Sequence, residues 1–126
     1  MKSMKLNAWD REWELYADIT KYSYPPNLAI QLYNKDDDLL EPFAMLTVNL
    51  SFLCDKNCSF VDVNDCPWVE KFIQDHRIGV PTGRKMRSGY VTYPEYRFDI
   101  EELKKHLYVI PLIEKKIELN RDDEAR

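Results

Sequence analysis

Four side chains in the middle of this sequence could converge on a zinc ion: Cys54, Cys58, Cys66 and His76. Zinc takes four soft or borderline donors in a tetrahedron, usually supplied as two close pairs. The cysteines here are separated by three and then seven residues, with no two-residue knuckle, and His76 falls at the end of an expected helix. They read instead as space-filling thiols, so no metal or other cofactor is expected. A thiol nucleophile is the other chemistry this set offers, given a lowered pKa and a base in reach. Cys66, just ahead of the expected helix, is the best placed, with His76 and His106 as the histidines available. A small enzyme with a cryptic Cys/His site is the lesser reading. The chain is expected not to be an enzyme, with no catalytic residues. Asp36, Asp37 and Asp38 are consecutive, which suits a solvated hairpin tip and not a calcium loop with spaced ligands.

The basic residues say more. Arg77, Arg84, Lys85 and Arg87 fall within eleven residues, followed by Tyr90, Tyr93 and Tyr96. Arginine beside exposed aromatic rings serves both protein hot spots and single-stranded nucleic acid. The chain as a whole carries a net charge of −4. Its first 75 residues hold thirteen acidic and seven basic side chains, and the remainder nine and eleven. Such a field does not draw the molecule to nucleic acid, so a protein partner is the first expectation. A nucleic-acid-binding factor using the basic loop 77–87 is the alternative. The acidic surplus is too thin, and too interrupted by Lys and Arg, for a mimic of phosphate spacing.

These residues need a scaffold. With 126 residues, 44% hydrophobic and 32% charged, the chain has the balance of one globular domain rather than a disordered one. Residues 1–126 are expected to form that single domain, with a core over about 11–110 and a charged tail at 114–126. Three glycines are too few for a phosphate-cradling loop. No apolar run approaches the roughly 18 residues that cross a bilayer. The N-terminal Lys2 and Lys5 lack an apolar stretch behind them, unlike a signal peptide. A cytoplasmic protein with reduced thiols and no membrane contact is expected.

The fold expected is α+β: a mostly antiparallel sheet of about five strands with two helices packed on one face. Trp13, Leu15, Ala17 and Ile19 alternate with polar residues, the period of a half-buried strand. Leu28, Ile30 and Leu32 mark the next strand, and one long strand over Phe43–Leu50 pairs with it around the Asp-rich turn. Ser59–Val63 is a fourth strand. Pro67 opens a helix to about His76, with Trp68, Val69, Phe72 and Ile73 as its apolar stripe. Residues 77–88, rich in Arg, Lys, Pro and Gly, read as a loop. Gly89–Phe98 reads as the fifth strand, with Pro94 pointing to an edge or a bulge. Asp99 caps a helix from Ile100 to about Leu107, with Glu102 three residues on as a capping box. The expected core is Leu28, Ile30, Leu32, Leu46, Val48, Leu50, Val61, Val63, Phe72, Ile73 and Leu103.

Several short pieces together carry a resemblance. These are Ala29-Ile30-Gln31-Leu32, Thr47-Val48-Asn49-Leu50, Phe60-Val61-Asp62-Val63-Asn64, Thr82-Gly83-Arg84 and Ser88-Gly89-Tyr90 through Tyr93-Pro94. Over residues 11–107 the chain resembles an uncharacterised domain family of small accessory proteins on plasmids, conjugative elements and phage-like elements of Gram-positive bacteria. The resemblance brings no active site. It implies an accessory protein of mobile DNA, and by analogy an inhibitor of host defence that occupies a protein surface.

Overall fold

A computed structural model describes residues 2–37 and 39–108; the expected charged tail at 114–126 lies outside the described residues. Within them, Met4, Leu6 and Ala8 alternate with Lys5 and Asn7, and they form a strand, β1 (Met4–Ala8). A two-residue turn follows. Trp9 and Asp10 both have positive φ, as the tight turn that matches strand twist requires. β2 (Arg11–Lys21), β3 (Leu28–Asp36) and β4 (Leu39–Met45) continue the meander, giving an antiparallel sheet in the order β1-β2-β3-β4. Pro42 is tolerated because β4 is an edge strand.

The long strand expected over Phe43–Leu50 is instead two strands in two sheets. The chain leaves the first sheet at Leu46, whose N–H donates to the Ile30 carbonyl at 2.9 Å. Thr47 Oγ1 accepts from the Ile30 N–H at 3.2 Å, so Ile30 keeps both backbone groups paired across the break. β5 (Thr47–Val48) then joins a second antiparallel sheet with β6 (Cys58–Val61), β7 (Gly79–Ser88) and β8 (Val91–Phe98). Its order is β5-β6-β8-β7.

The α+β expectation is therefore corrected. Among the described residues the protein is mostly β, with two four-stranded sheets, and the helices are only seven and five residues long. α1 (Val69–Asp75) and α2 (Ile100–Lys104) fall inside the spans expected from sequence, each shorter. Asp99 does cap α2, accepting from the Glu102 N–H at 3.1 Å. Of the segment 77–88 expected as a loop, residues 79–88 form strand β7. Its Pro81 and Gly83 mark a bulge, where the register with β8 shifts between Pro81 and Lys85 and Gly83 takes a φ of 91°. Gly89, with φ of 62°, supplies the positive φ at the first position of the β7–β8 turn. Pro94 sits in an interior strand, beyond the last β8 residue paired to β6, so its missing amide leaves no ladder bond broken there.

The main core lies between the two sheets, closed by the helices. It holds Met4, Leu15, Ile30 and Leu32 from the first sheet, Val61, Tyr96 and Phe98 from the second, and Val69, Phe72, Ile73 and Leu103 from the helices. Of the expected core, Val48 and Val63 are half-buried and the rest are buried. A smaller cluster of Leu50, Cys54, Cys58 and Phe60, joined by Phe52, Met86 and Tyr93, covers the other face of the second sheet.

One buried amide holds the segment over that face. Asn27 Nδ2 donates to Asn49 Oδ1 at 3.0 Å and to the Phe52 carbonyl at 2.7 Å. Asn27 Oδ1 accepts from the Cys54 N–H at 2.8 Å. The Asn27→Ala variant orphans the buried Cys54 N–H and the partly buried Phe52 carbonyl and should cost about 2 kcal/mol of stability. Urea denaturation measures this; an unchanged midpoint would show that water replaces the side chain without penalty.

Candidate binding surface on the β7–β8 hairpin

The register of β7 and β8 sorts the basic residues by face. Lys85, opposite Pro94, and Arg87, opposite Thr92, lie on one side of the hairpin; Met86, between them, turns into the smaller core beside Tyr93. Both cations are exposed, and Arg87 Nε donates to the Gly89 carbonyl at 3.1 Å. Tyr90 stands at the tip, 98% exposed, on a turn fixed by Gly89. An aromatic ring held out on a rigid two-residue turn loses little entropy on docking.

Arg84 faces the other way and is already occupied. Its Nε lies 3.4 Å from Glu95 Oε1, and its guanidinium sits 4.8 Å from the centre of the Phe52 ring. Glu95 is buried, and Thr82 Oγ1 donates to the same Oε1 at 2.7 Å. Thr82 Oγ1 also accepts from the Arg84 N–H at 3.2 Å, which ties the bulge to the carboxylate. A buried carboxylate is stable only where charge and hydrogen bonds compensate it, so this bulge has one favoured geometry.

Tyr96, expected as a contact residue, is corrected to a core residue with 0% exposure. Its hydroxyl donates to Glu70 Oε1 at 2.7 Å and accepts from Gln74 Nε2 at 2.9 Å, joining β8 to α1. Tyr93 is half-buried in the smaller core. Arg77 lies at the end of α1, at the root of the hairpin and away from its tip. The structure thus gathers Lys85, Arg87 and Tyr90, ties the half-exposed Arg84 to Glu95 and Phe52, and removes Tyr96. Glu95 and Thr82 were missed by sequence reading. A strand assignment for 79–88 would have placed Thr82, Arg84 and Glu95 side by side.

The thiols do not gather. Cys54 and Cys58 lie in the smaller cluster, Cys66 in the main core, and His76 Nε2 is 2.8 Å from the Lys5 carbonyl. Among the described residues no group of three or more His, Cys, Asp or Glu is placed to hold a metal. Burial pushes the Cys66 thiol up from its ordinary 9.0 to about 11, with Asp62 and Asp65 adding to the effect. Burial and then Glu95 push Cys54 up to about 12, against a smaller pull from Arg84. Both shifts run opposite to what a nucleophile needs. Among the described residues no helix is long and apolar enough to cross a membrane.

Two outcomes follow from the thiols. Near neutral pH, iodoacetamide should leave all three cysteines unmodified until the protein is unfolded; rapid alkylation of Cys66 in the folded protein would reopen the nucleophile reading. The folded state also holds thiol protons that the unfolded chain has already released. That contribution is intact below about pH 9 and is lost as pH rises towards about 11. Tyr22 and Tyr96, both raised by burial, act in the same sense. Thermal melting from pH 8 upward should show this decline, whereas a flat profile would contradict the burial of these groups.

A family model described as a domain of unknown function, DUF4313, matches residues 16–109. No curated protein and no solved structure matches the chain. The match runs from β2 through α2 and takes in the whole β7–β8 hairpin, so the chain belongs to the DUF4313 family.

Proposed function

We propose that this protein works by binding, docking the tip of the β7–β8 hairpin on an acidic surface of a partner protein. The observation that carries the reading is Tyr90, almost fully exposed on a rigid turn beside Lys85 and Arg87. Tyrosine and arginine supply most contact energy in protein interfaces, and loops on a fixed scaffold commonly carry function. In the finer form of this reading, the protein is a cytoplasmic accessory factor of a mobile genetic element that inhibits host defence by occupying a protein surface. The short-piece resemblance supports that form. Nucleic acid is the second reading, supported by the same pairing of cations with an exposed ring and opposed by the net charge of −4. Catalysis through a thiol has the raised Cys54 and Cys66 pKa values against it.

Affinity capture with the intact protein, followed by titration of the captured partner, tests the reading. Tyr90→Ala should weaken the complex roughly thirtyfold, the loss of about 2 kcal/mol expected of a hot spot, with melting unchanged. Lys85→Ala and Arg87→Ala should act mainly through salt-sensitive association. A partner that binds Tyr90→Ala, Lys85→Ala and Arg87→Ala variants as tightly as the parent sinks the assignment. If the captured species is nucleic acid, each cation removed should lower the salt slope by about one unit.

A further inference from the structure

The root of the same hairpin carries a different surface. A groove of 630 Å³ runs where α1 hands over to β7, walled by Gln74, Arg77, Val80, Pro81, Arg97 and Phe98. Among the described residues β7 is an edge strand, with no neighbour in the sheet on one side of its backbone. The register shows which groups face out. The Asp99 N–H donates to the Ile78 carbonyl, and the Phe98 N–H turns the other way, to the Asn57 carbonyl. The Gly79–Phe98 pair is therefore not hydrogen-bonded between the strands. Gly79 is buried there, so of these outward-turned backbone groups the Pro81 C=O is the one left at the open edge. Pro81 has no amide and the bulge follows, so this open run is short. Its side chains must add selectivity.

Those side chains are apolar and basic. Val80 is 61% exposed, and Arg97 is its cross-strand neighbour on the same face. Among the described residues no carboxylate lies within ion-pairing distance of Arg77 or Arg97. Asp99 also lines the groove, but its Oδ1 is engaged by the Glu102 N–H.

Arg77 is the most informative residue. The Ile78 N–H donates to the Ile73 carbonyl and the Arg77 N–H to the Gln74 carbonyl, both at 3.1 Å. This is the Schellman ending of a helix, whose left-handed residue is usually glycine. Here it is arginine, with φ of 56°. A long side chain kept in a conformation that glycine adopts without strain points to a use for that side chain.

We infer that the groove seats an extended acidic segment of a partner protein, laid along the exposed Val80–Pro81 stretch of β7, its carboxylates meeting Arg77 and Arg97 and an apolar side chain covering Val80. Apolar contact with Val80 and the Pro81 carbonyl supply affinity, and the two cations select the sequence. The inference rests on the reading of this protein as a binder of acidic partners, but not on the hairpin tip.

A short fluorescent peptide of alternating valine and glutamate is the probe, read by anisotropy against the intact protein. Arg77→Gly should raise the melting temperature yet weaken peptide binding about tenfold, a difference of about 1.4 kcal/mol. Arg97→Glu should weaken it at least as much. Tyr90→Ala should leave peptide binding unchanged, so failure at the tip and failure at the groove are told apart. No binding by the parent protein, equal binding of the lysine-for-glutamate peptide, or Arg77→Gly with full affinity each overturns the inference. Displacement of the peptide by oligothymidylate, with tighter binding of the latter, assigns the groove to nucleic acid instead.

Discussion

The chain changes sheet at Leu46, and the rest of the structure hangs on how the backbone of Ile30 is satisfied there. A strand leaving a sheet strands the N–H and C=O of its former neighbour, and buried orphans of that kind are costly. Leu46 takes the Ile30 carbonyl and Thr47 Oγ1 takes the Ile30 N–H, so the break leaves neither unpaired. The Leu46 carbonyl then accepts from the Asp62 N–H on the second sheet. Four residues, Ile30, Leu46, Thr47 and Asp62, thus stitch two sheets at one point. The main core fills the space between them, with Ile30 and Leu46 both fully buried.

That stitch leaves the second sheet with a face the first does not cover. The 49–54 segment covers it, held by Asn27, and places Phe52 where Arg84 can lie across its ring. Arg84 and Thr82 in turn compensate the buried Glu95. A buried ion pair adds little net stability, since desolvation offsets most of the attraction. Its role here is geometric: it specifies the bulge, and the bulge sets on which face of the hairpin Arg84, Lys85 and Arg87 lie. The outer part of the hairpin then presents Lys85, Arg87 and Tyr90 from a scaffold whose shape does not depend on them.

Much of this was legible wherever period-two alternation met ordinary turn chemistry. Trp13 to Ile19 and Leu28 to Leu32 are strands as their patterns required, and Asp99 caps its helix. Two kinds of signal misled. Phe43–Leu50 alternates without interruption, and nothing local marks Leu46 as the crossing, because the partner groups belong to Ile30, sixteen residues earlier. Pro81, Gly83 and a run of cations read as a loop, although an edge strand with a bulge tolerates all three. The tyrosines Tyr90, Tyr93 and Tyr96 were read as one surface, but only the turn position is exposed. Tyr93 and Tyr96 lie on opposite faces of β8, and each is drawn into the core beneath it. Arg77 was read as part of the basic loop. Its left-handed backbone was invisible to sequence patterns, since glycine is the residue that normally announces that conformation.

The central claim is that partner recognition belongs to the β7–β8 hairpin, from its root beside Arg77 to its tip at Tyr90. Hydrogen–deuterium exchange of the protein alone and in complex with its captured partner tests this most directly. The account predicts new protection at Val80 and around Lys85–Tyr90, with the β1–β4 sheet unchanged. Protection confined to the β1–β4 sheet, with the hairpin exchanging as in the free protein, would contradict it.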